Sequence, residues 1–496
     1  MEAGAGAEKQ NATLLFGNLL GKVQNTFPQL RTATAAKSDP EEVRNKEHRE
    51  IRIGDSAPWL ESCIWYHDQA MPSRRVQTKV RVKTILNHVQ KFKSFVYGDT
   101  RWEEINGETA LYVEIFPRRN SSPICSGCGQ VGPGYDTLPV RPFEFVPLWG
   151  MAVFFMYIMR RVDCGRCGVK VEAVPWAEGK QTLTRAYMQF LAGWAKRMSW
   201  QEVARSFRTS WGKVFRSVEW MVGWGLAHRN LSGVTAMGVD EIMWKKGPQY
   251  LTMVYQIDHH LKRLLWVGKD RTEKTLLGFF HQFGEPFAAE LKFICSDMWK
   301  PYLKVIATKA SHAIHVLDRF HIAMHMNKAI DEVRAQEARD LKAKGMDPIL
   351  KHSRWCLLKR PENLTEKQEV KLADLVRYNL KSVRSYLLKE DFQFFWEFTT
   401  PHGAGPFMDE WCRRTMRSRL EPMKKVARML RSHRELMLNW FRANKQISGG
   451  AVEGFNNKAK LTTRKAYGFR TYKAAEAALY HTLGALPEPK LTHRFC

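Results

Sequence analysis

The feature that most constrains the fold of this chain is a run of short apolar segments and helical segments between residues 236 and 316. Short segments rich in β-branched and aromatic residues and bounded by polar turns are typical of strands, whereas apolar residues at helical spacing indicate helices. The predicted strands are Met237–Met243, Tyr250–Gln256, Arg263–Gly268, Leu291–Cys295 and Ala313–Val316, and the predicted helices are Thr272–Phe283 and Pro301–Lys309. This order predicts one mixed sheet covered by helices.

Two carboxylates are predicted to lie at the same edge of this sheet. Asp240 lies in the first strand, and Asp297 directly follows the fourth strand. In a ribonuclease-H-like core, which has this order of elements, those strands are neighbours, so both carboxylates reach one edge. Glu453 follows a long helical stretch, close to Asn456 and Lys458. We predict that Asp240, Asp297 and Glu453 are catalytic and hold two Mg²⁺ (or Mn²⁺) ions, because hard oxygen ligands suit these cations and phosphodiester chemistry needs such a charge clamp.

Other readings of these acidic residues remain open at this stage. A lone aspartate at a strand end is usually a turn or cap residue, and a lone glutamate on a helix is usually solvated, so the prediction depends on the ordered context. Glu241 is expected to point away from Asp240, because side chains alternate along a strand. Asp258 is expected in a hairpin turn, and Asp270 is expected to cap the following helix.

A second polar cluster directly follows the fifth strand, in the sequence Asp318-Arg-Phe-His321. Residues three apart share a helix face, so Asp318 and His321 are predicted to support the active site from its flank. The alternative is an aspartate that caps a helix and a histidine that packs in the core. His325 lies one further turn along, and a metal site shared with His321 is another alternative, although no third ligand lies nearby.

Four of the nine cysteines form two matching Cys-x-x-Cys pairs, and each pair is followed by a glycine. The tight turn in each pair directs two thiolates at one tetrahedral ion, and four sulfur ligands leave no position for a reacting water. We therefore predict one structural Zn²⁺ in a zinc ribbon, held by Cys125, Cys128, Cys164 and Cys167. The alternatives are unrelated buried cysteines or a redox pair.

A helical region follows the second cysteine pair. Thr184 is the predicted cap of its first helix, Ser199 and Glu202 fit a capping box, and Thr209 is expected to open a third helix. Short helices joined by tight turns are typical of helix-turn-helix DNA-binding domains, although a plain helical linker is the alternative. The residues of this region that are predicted to contact DNA are Arg205, Arg208, Lys213 and Arg216.

The charge of the chain indicates a polyanionic partner. There are 78 Lys and Arg residues against 50 Asp and Glu, a net charge of +28, and proteins this basic usually bind nucleic acid. An anionic membrane surface is the less common case; no run of about 20 apolar residues spans a bilayer, and the N-terminus lacks the order of a secretory signal. Further DNA contacts are predicted near and after Glu453, at Asn456, Asn457, Lys458, Lys460, Arg464, Lys465 and Arg470.

Together these motifs resemble the ISL-three (ISL3) family of bacterial insertion-sequence transposases. The resemblance covers roughly residues 83–483. Besides the cysteine pairs and the helical region, it rests on the segments Gly238–Glu241, Ser296–Tyr302, Val316–His321, Ala451–Lys458 and Arg464–Arg470. Residues 1–79 have no match in the family pattern, which puts the assigned start of the chain in doubt.

The resemblance implies a DDE catalytic core that is interrupted by an all-helical insertion between Asp297 and Glu453. It also implies cutting at terminal inverted repeats and joining of the freed 3′ ends to target DNA. In such families Asp240, Asp297 and Glu453 would hold the two metal ions, and Asp318 and His321 match an Asp-x-x-His signature of related cores.

We therefore predict an α/β plus α chain: a ribonuclease-H-like mixed-sheet catalytic core with an all-helical insertion, preceded by a zinc ribbon and a helix-turn-helix domain. The predicted parts are an N-terminal extension (1–80), the zinc-ribbon domain (81–178), the helix-turn-helix region (179–232), the first part of the core (233–319), the helical insertion (320–440), the closing part of the core (441–485) and a tail (486–496). The expected partners are element ends, target DNA and further copies of the chain, in a homodimer or larger synapse in the bacterial cytoplasm, with no membrane partner.

Two rival functions remain open at this stage. A non-catalytic DNA-binding regulator would use the zinc ribbon and the helices without cutting DNA. Another ribonuclease-H-like nuclease would cleave nucleic acid but would not join strands.

Overall fold

The structure is a computed structural model, and it describes residues 81–490 except 106, 246, 347 and 448. The predicted extension 1–80 and residues 491–496 of the predicted tail lie outside the described residues. Over the described range the chain is a mixed α/β protein with two five-stranded sheets, followed by a long helical region. No described helix is both long enough and apolar enough to cross a bilayer.

The first sheet lies in the region predicted as a zinc ribbon. It follows helix α1 (Val82–Val89) and contains β1 (Phe95–Ile105), β2 (Glu108–Pro117), β3 (Gly134–Leu148), β4 (Met151–Cys164) and β5 (Gly168–Val171). Strands β1 and β2 form one hairpin, β3 and β4 form another, and the two hairpins join through a parallel pairing of β2 with β4. Trp176 is fully buried, and its ring contacts Phe95 and Tyr157 at centroid distances of 4.9 and 5.2 Å. This aromatic core stabilises the sheet away from the cysteines.

Three helices connect the two sheets: α2 (Arg185–Ala195), α3 (Trp200–Ser206) and α4 (Trp211–His228). Thr184 caps α2, and Ser199 with Glu202 forms both bonds of a capping box on α3, which confirms the two predicted starts. The third start was predicted one residue too early, because the hydroxyl of Ser210, and not that of Thr209, accepts the backbone N–H of Lys213.

The second sheet is built from β6 (Ala236–Lys245), β7 (Gln249–Ile257), β8 (Lys262–Lys269), β9 (Phe293–Ser296) and β10 (Ile314–Leu317), with helices α5 (Glu273–Glu290) and α6 (Lys300–Lys309). The strand order is β10-β9-β6-β7-β8. The pairings β6–β7 and β7–β8 are antiparallel, whereas β6–β9 and β9–β10 are parallel. The five predicted strands and two predicted helices are all present, β6 is a neighbour of β9, and the sheet is consistent with a ribonuclease-H-like core.

Two aspartates in loops beside this sheet, Asp270 and Asp258, have roles that differ from those expected. Thr272 caps α5, so the prediction that Asp270 caps it is wrong; Asp270 has a φ of 73° and its N–H donates to the Tyr250 carbonyl. Asp258 follows β7 as expected, but it is buried and accepts hydrogen bonds from Thr235 and Gln256. It therefore ties the start of β6 to the end of β7.

The rest of the described chain is helical. The helices are α7 (Arg319–Ala343), α8 (Arg354–Leu358), α9 (Glu366–Val376), α10 (Lys381–Gln393), α11 (Pro401–Arg417), α12 (Glu421–Ser432), α13 (Arg434–Arg442), α14 (Gly450–Lys465) and α15 (Tyr472–Leu483), with short 3₁₀ turns at Pro361–Asn363 and Phe394–Glu397. Helices α14 and α15 return to the second sheet, where α14 contacts β6 and β7 and α15 contacts β8. The chain thus leaves this sheet after β10 and comes back to it with α14.

Candidate active site and metal centres

Helix α14 lies directly on β6, and two glycines permit this contact. A β-carbon on Gly238, in β6, would overlap the side chain of Val452. A β-carbon on Gly449, which precedes α14, would overlap the carboxylate of Asp318. Any larger residue at either position would displace the helix or its neighbour. The first turns of α14 are therefore held between β6 and the end of β10.

Asp240 is half-buried in β6 and is bonded to α14. Its Oδ2 accepts a hydrogen bond of 2.6 Å from Asn456 Nδ2, and its Oδ1 accepts the backbone N–H of Glu241 at 2.8 Å. Asn456 Oδ1 in turn accepts the hydroxyl of Tyr255, on β7, at 2.8 Å. Burial raises the pKa of Asp240, and the charges of Asp297 and Asp318 raise it further.

Asp297 is buried at the end of β9 and is held on both sides of its carboxylate. Its Oδ1 accepts the backbone N–H of Trp299 at 3.0 Å, and its Oδ2 pairs with Arg271 at 3.1 Å. The Arg271 guanidinium lies over the Trp299 ring, 4.4 Å from its centroid, and also pairs with Glu241 at 2.8 Å.

Glu241 is therefore joined to the site through Arg271, although it was expected to lie apart from it. Burial raises the pKa of Glu241 to about 7, and the charges of Asp297 and Asp240 contribute. The sequence prediction missed Arg271, because a single arginine in a loop after a strand carries no signal in a chain with 78 Lys and Arg residues.

Asp318 and His321 meet at the start of α7. Asp318 Oδ1 accepts the backbone N–H of Phe320 at 3.0 Å, and Oδ2 lies 3.1 Å from His321 Nδ1. The bond to Asp318 raises the pKa of His321 to about 9, helped by the charges of Asp240, Asp318 and Asp297. Asp318 is thus a helix cap and also a neighbour of the carboxylates, so the two readings of this motif are compatible.

Glu453 lies in the first turns of α14, and its N–H donates to the Gly449 carbonyl at 2.8 Å. Gly449 abuts Asp318, and Asn456 binds Asp240. Residues 449, 453 and 456 share one helix face, because they are four and three positions apart. The carboxylate of Glu453 is half-exposed and has no hydrogen-bond or ion-pair partner among the described residues, in contrast to Asp240 and Asp297.

The three predicted catalytic carboxylates do not form a single-ion cluster in the described part of the chain. In the described part of the chain, the group of four cysteines is the one set of three or more His, Cys, Asp or Glu side chains whose ligand atoms all lie within 4.8 Å of one another. A two-ion site needs more room, since its ions lie about 3.5–4 Å apart. Burial raises the pKa of Asp240, the charges of Asp297 and Asp318 add to this rise, and divalent cations would favour the ionised carboxylates. The donor set therefore fits such ions.

The four cysteines converge where β4 ends and β5 begins. Cys128 Sγ lies 3.5 Å from Cys164 Sγ, and the backbone N–H of Gly127 donates to Cys125 Sγ at 3.4 Å. Backbone N–H groups of Arg166 and Cys167 lower the pKa of Cys164 to about 7. Thiolates at this spacing are the ligand set of a structural zinc site, so the residues fit the predicted ion.

The residues predicted to contact DNA fall into two groups. Four of them are engaged within the protein: Arg208 pairs with Glu108, Lys213 pairs with Glu144, Asn456 binds Asp240, and Lys465 donates to the carbonyl of Lys196. The DNA contacts of these four residues stay predictions. The other seven have exposed side chains, as Arg208 also does: Arg205, Arg216, Asn457, Lys458, Lys460, Arg464 and Arg470.

Comparison with known proteins adds evidence of ancestry. Residues 237–479 match the sequence profile of ISL3-type DDE proteins, which is described as "Transposase". The chain is 27% identical over 379 residues to the transposase for insertion sequence element IS1001 of Bordetella parapertussis, covering 75% of this chain and 92% of that protein. It is 28% identical over 419 residues to the transposase for insertion sequence element IS1557 of Mycobacterium tuberculosis, covering 79% of this chain and 93% of that protein.

Among solved structures, the Drosophila P element transposase strand transfer complex matches 59% of this chain and 91% of that chain. The TM-score is 0.32 and the identity is 10%, a similarity too remote to identify the fold.

Proposed function

The chain belongs to the ISL3 family of DNA transposases, and from this premise we propose how it acts: it binds the terminal inverted repeats of an insertion sequence, cleaves the element ends and joins the freed 3′ ends to target DNA. The observation that carries this proposal is the docking of α14 on the second sheet. The bond from Asn456 to Asp240 and the contact of Gly449 with Asp318 support a shared site for Glu453 and the two strand-borne aspartates.

Asp240, Asp297 and Glu453 would hold two divalent ions at this edge. When bound, such ions would activate the attacking water or 3′-hydroxyl and would stabilise the leaving oxygen. Asn456 orients Asp240, whereas the Trp299 N–H and Arg271 orient Asp297. His321 keeps its proton near neutral pH and holds positive charge beside Asp318, which limits the repulsion among the acidic residues.

DNA would reach this site across exposed cations. Lys458, Lys460 and Arg464 project from α14, and each would contact backbone phosphate without reading sequence. We assign sequence recognition to a helix-turn-helix formed by α3 and α4, with Arg205 and Arg216 as its exposed basic residues. The four cysteines would hold one Zn²⁺ that stabilises a ribbon at the end of the first sheet.

A dimer or larger assembly follows from the reaction, because two element ends must be held together before they are joined to the target. The two curated relatives described above are bacterial proteins. We therefore place this protein on the chromosome in a bacterial cytoplasm.

The test is metal-dependent cleavage of DNA that carries an element end. Asp240→Asn and Asp297→Asn should abolish cleavage and strand transfer with Mg²⁺ while leaving end binding measurable. Asp270→Asn is the matched control, because Asp270 is exposed and asparagine tolerates its positive φ. Retained cleavage by either active-site variant would remove that residue from the mechanism. Cleavage without joining would favour the simple nuclease, and binding without cleavage would favour the regulator.

A further inference from the structure

A groove of about 670 Å³ opens beside α14, between the end of β6 and the loop that joins α14 to α15. It is lined by Met243, Trp244, Lys245, Ala466, Tyr467, Gly468, Phe469 and Arg470. Lys245 Nζ donates to the Arg470 carbonyl at 2.8 Å, which ties the strand side of the groove to the loop side. Trp244 and Phe469 are buried, whereas Met243 is exposed, so apolar surface is open to solvent in the groove.

Tyr467 stands at the rim of this groove, and 98% of its surface is exposed. Its ring makes no ring contact or hydrogen bond with any described residue. The backbone beneath it is fixed, because the N–H of Tyr467 donates to the Arg464 carbonyl and the N–H of Gly468 donates to the Thr463 carbonyl, both at 2.9 Å. Tyr467 has a φ of 53°, which is unfavourable for a bulky side chain. The aromatic ring of Tyr467 is therefore free, and hydrogen bonds to the last turn of α14 hold its backbone.

The surroundings of Tyr467 are positively charged and uncompensated. Three exposed cations follow Glu453 on α14 and a fourth lines the groove, and none has an ion-pair partner within the described ranges; they are Lys458, Lys460, Arg464 and, in the groove, Arg470. Glu453 lies in the first turn of α14, whereas Tyr467 follows its last residue, Lys465, so the two stand at opposite ends of this helix.

We propose that the groove receives one unpaired nucleobase of the bound DNA, away from the cleaved phosphate, and that Tyr467 stacks on this base. The proposal rests on the proposed function, because it places the cleaved phosphate at Glu453. Every base has a π face, so stacking of this kind tolerates any base, and the neighbouring cations hold the phosphates on either side. Charge favours DNA as the occupant. A base can cover the apolar surface, and its polyanionic backbone can contact the exposed cations nearby.

The test uses a probe that does not depend on the sequence of the element end. The probe is a DNA duplex with a single-stranded oligothymidine extension that carries one photoreactive 5-iododeoxyuridine. Irradiation should cross-link the probe to Tyr467, as mapped by mass spectrometry. Tyr467→Ala should remove this cross-link and weaken binding by about 5- to 150-fold, the range expected for loss of one stacked base. Tyr467→Phe should keep full affinity, because phenylalanine keeps the aromatic face.

Leu461→Ala is the matched control, because Leu461 is an exposed apolar residue on the preceding helix, α14, that does not line the groove. It should leave binding and cross-linking unchanged. Asp240→Asn should also keep the cross-link, because stacking needs no cleavage. If the wild-type protein forms the cross-link but never cuts DNA, the proposed function is contradicted and the stacking site is still supported. Wild-type affinity of Tyr467→Ala, or a cross-link that maps outside the groove, would overturn the inference.

Discussion

The four cysteines and the three carboxylates are both candidate metal ligands, but the chain assembles them in different ways. The cysteines come from two short turns, and their sulfur atoms lie within 4.8 Å of one another. The carboxylates come from two strands and a helix, and two of them are already bonded to protein groups, Asp240 to Asn456 and Asp297 to Arg271. Cys128 and Cys125 raise the pKa of Cys167, so four thiolates this close need a cation between them and their metal should be part of the fold. The carboxylate edge has protein partners of its own, so its ions should be exchangeable without unfolding.

Loss of one thiolate should have the greatest effect on the chain. Cys164→Ser should reduce zinc from one ion per chain to none and should destabilise the first sheet by several kcal/mol, because structural zinc contributes about 10–16 kcal/mol in isolated zinc fingers. Elemental analysis and thermal unfolding measure both effects. Removal of Mg²⁺ from the wild type should lower the unfolding temperature far less than loss of zinc does, because exchangeable ions stabilise the fold only by their binding free energy. Wild-type zinc content in Cys164→Ser would contradict the proposed zinc site.

A second test moves the catalytic helix without touching a carboxylate. Gly238→Ala places a methyl group against Val452, so α14 must shift away from β6. Displacement of a catalytic group by about 1 Å can lower a rate by about 10²-fold, and we expect cleavage to fall by that amount. Gly454→Ala is the control on the same helix, since a β-carbon there meets nothing within 4 Å, and it should cleave normally. Equal cleavage by Gly238→Ala and Gly454→Ala would show that cleavage does not depend on the position of α14.

A smaller effect is expected from the amide that joins α14 to the sheet. Asn456→Ala leaves Asp240 without its side-chain donor and leaves the buried Tyr255 hydroxyl without its acceptor. Residues that orient metal ligands typically change affinity or activity by about 10- to 100-fold, and we expect about 10-fold weaker Mg²⁺ activation. Titration of cleavage against Mg²⁺ measures it. Asn457→Ala, an exposed neighbour, should reduce DNA affinity only; a matching loss of Mg²⁺ activation in that variant would argue against the role assigned to Asn456.

The smallest expected effect concerns pH. The pKa of His321 is raised to about 9 in the folded chain, so its contribution to stability is complete below its unfolded pKa of about 6.5 and is lost as the pH rises through 9. Between pH 6 and 9.5 we expect metal-free protein to lose about 1 kcal/mol of unfolding free energy from this group. Urea unfolding of the wild type and of His321→Gln measures it. An equal loss in both proteins would assign the pH dependence to other residues.

Much of the fold was predictable because it depends on local sequence. The five strands of the second sheet and the caps at Thr184 and Ser199 were identified from alternation and side-chain chemistry within a few residues. The error at Thr209 has the same origin, since Thr209 and Ser210 are adjacent hydroxyl residues and only the backbone conformation selects between them.

The partners within the site were not predictable, because they depend on contacts between distant parts of the chain. Nothing in the sequence near Arg271 indicates that it joins Glu241 to Asp297. Asn456 belongs to a basic stretch whose sequence predicts a DNA-binding surface. Its amide meets Asp240 only because α14 docks on the second sheet.

The central claim is that Asp240, Asp297 and Glu453 share divalent ions, and iron-directed chain cleavage tests it most directly. Fe²⁺ replaces Mg²⁺, ascorbate and peroxide generate hydroxyl radicals at the bound ion, and the backbone is cut beside its ligands. We predict fragments that end near residues 240, 297 and 453, suppressed together by excess Mg²⁺ and by Asp240→Asn. Cuts near the two aspartates with none near residue 453 would contradict the claim.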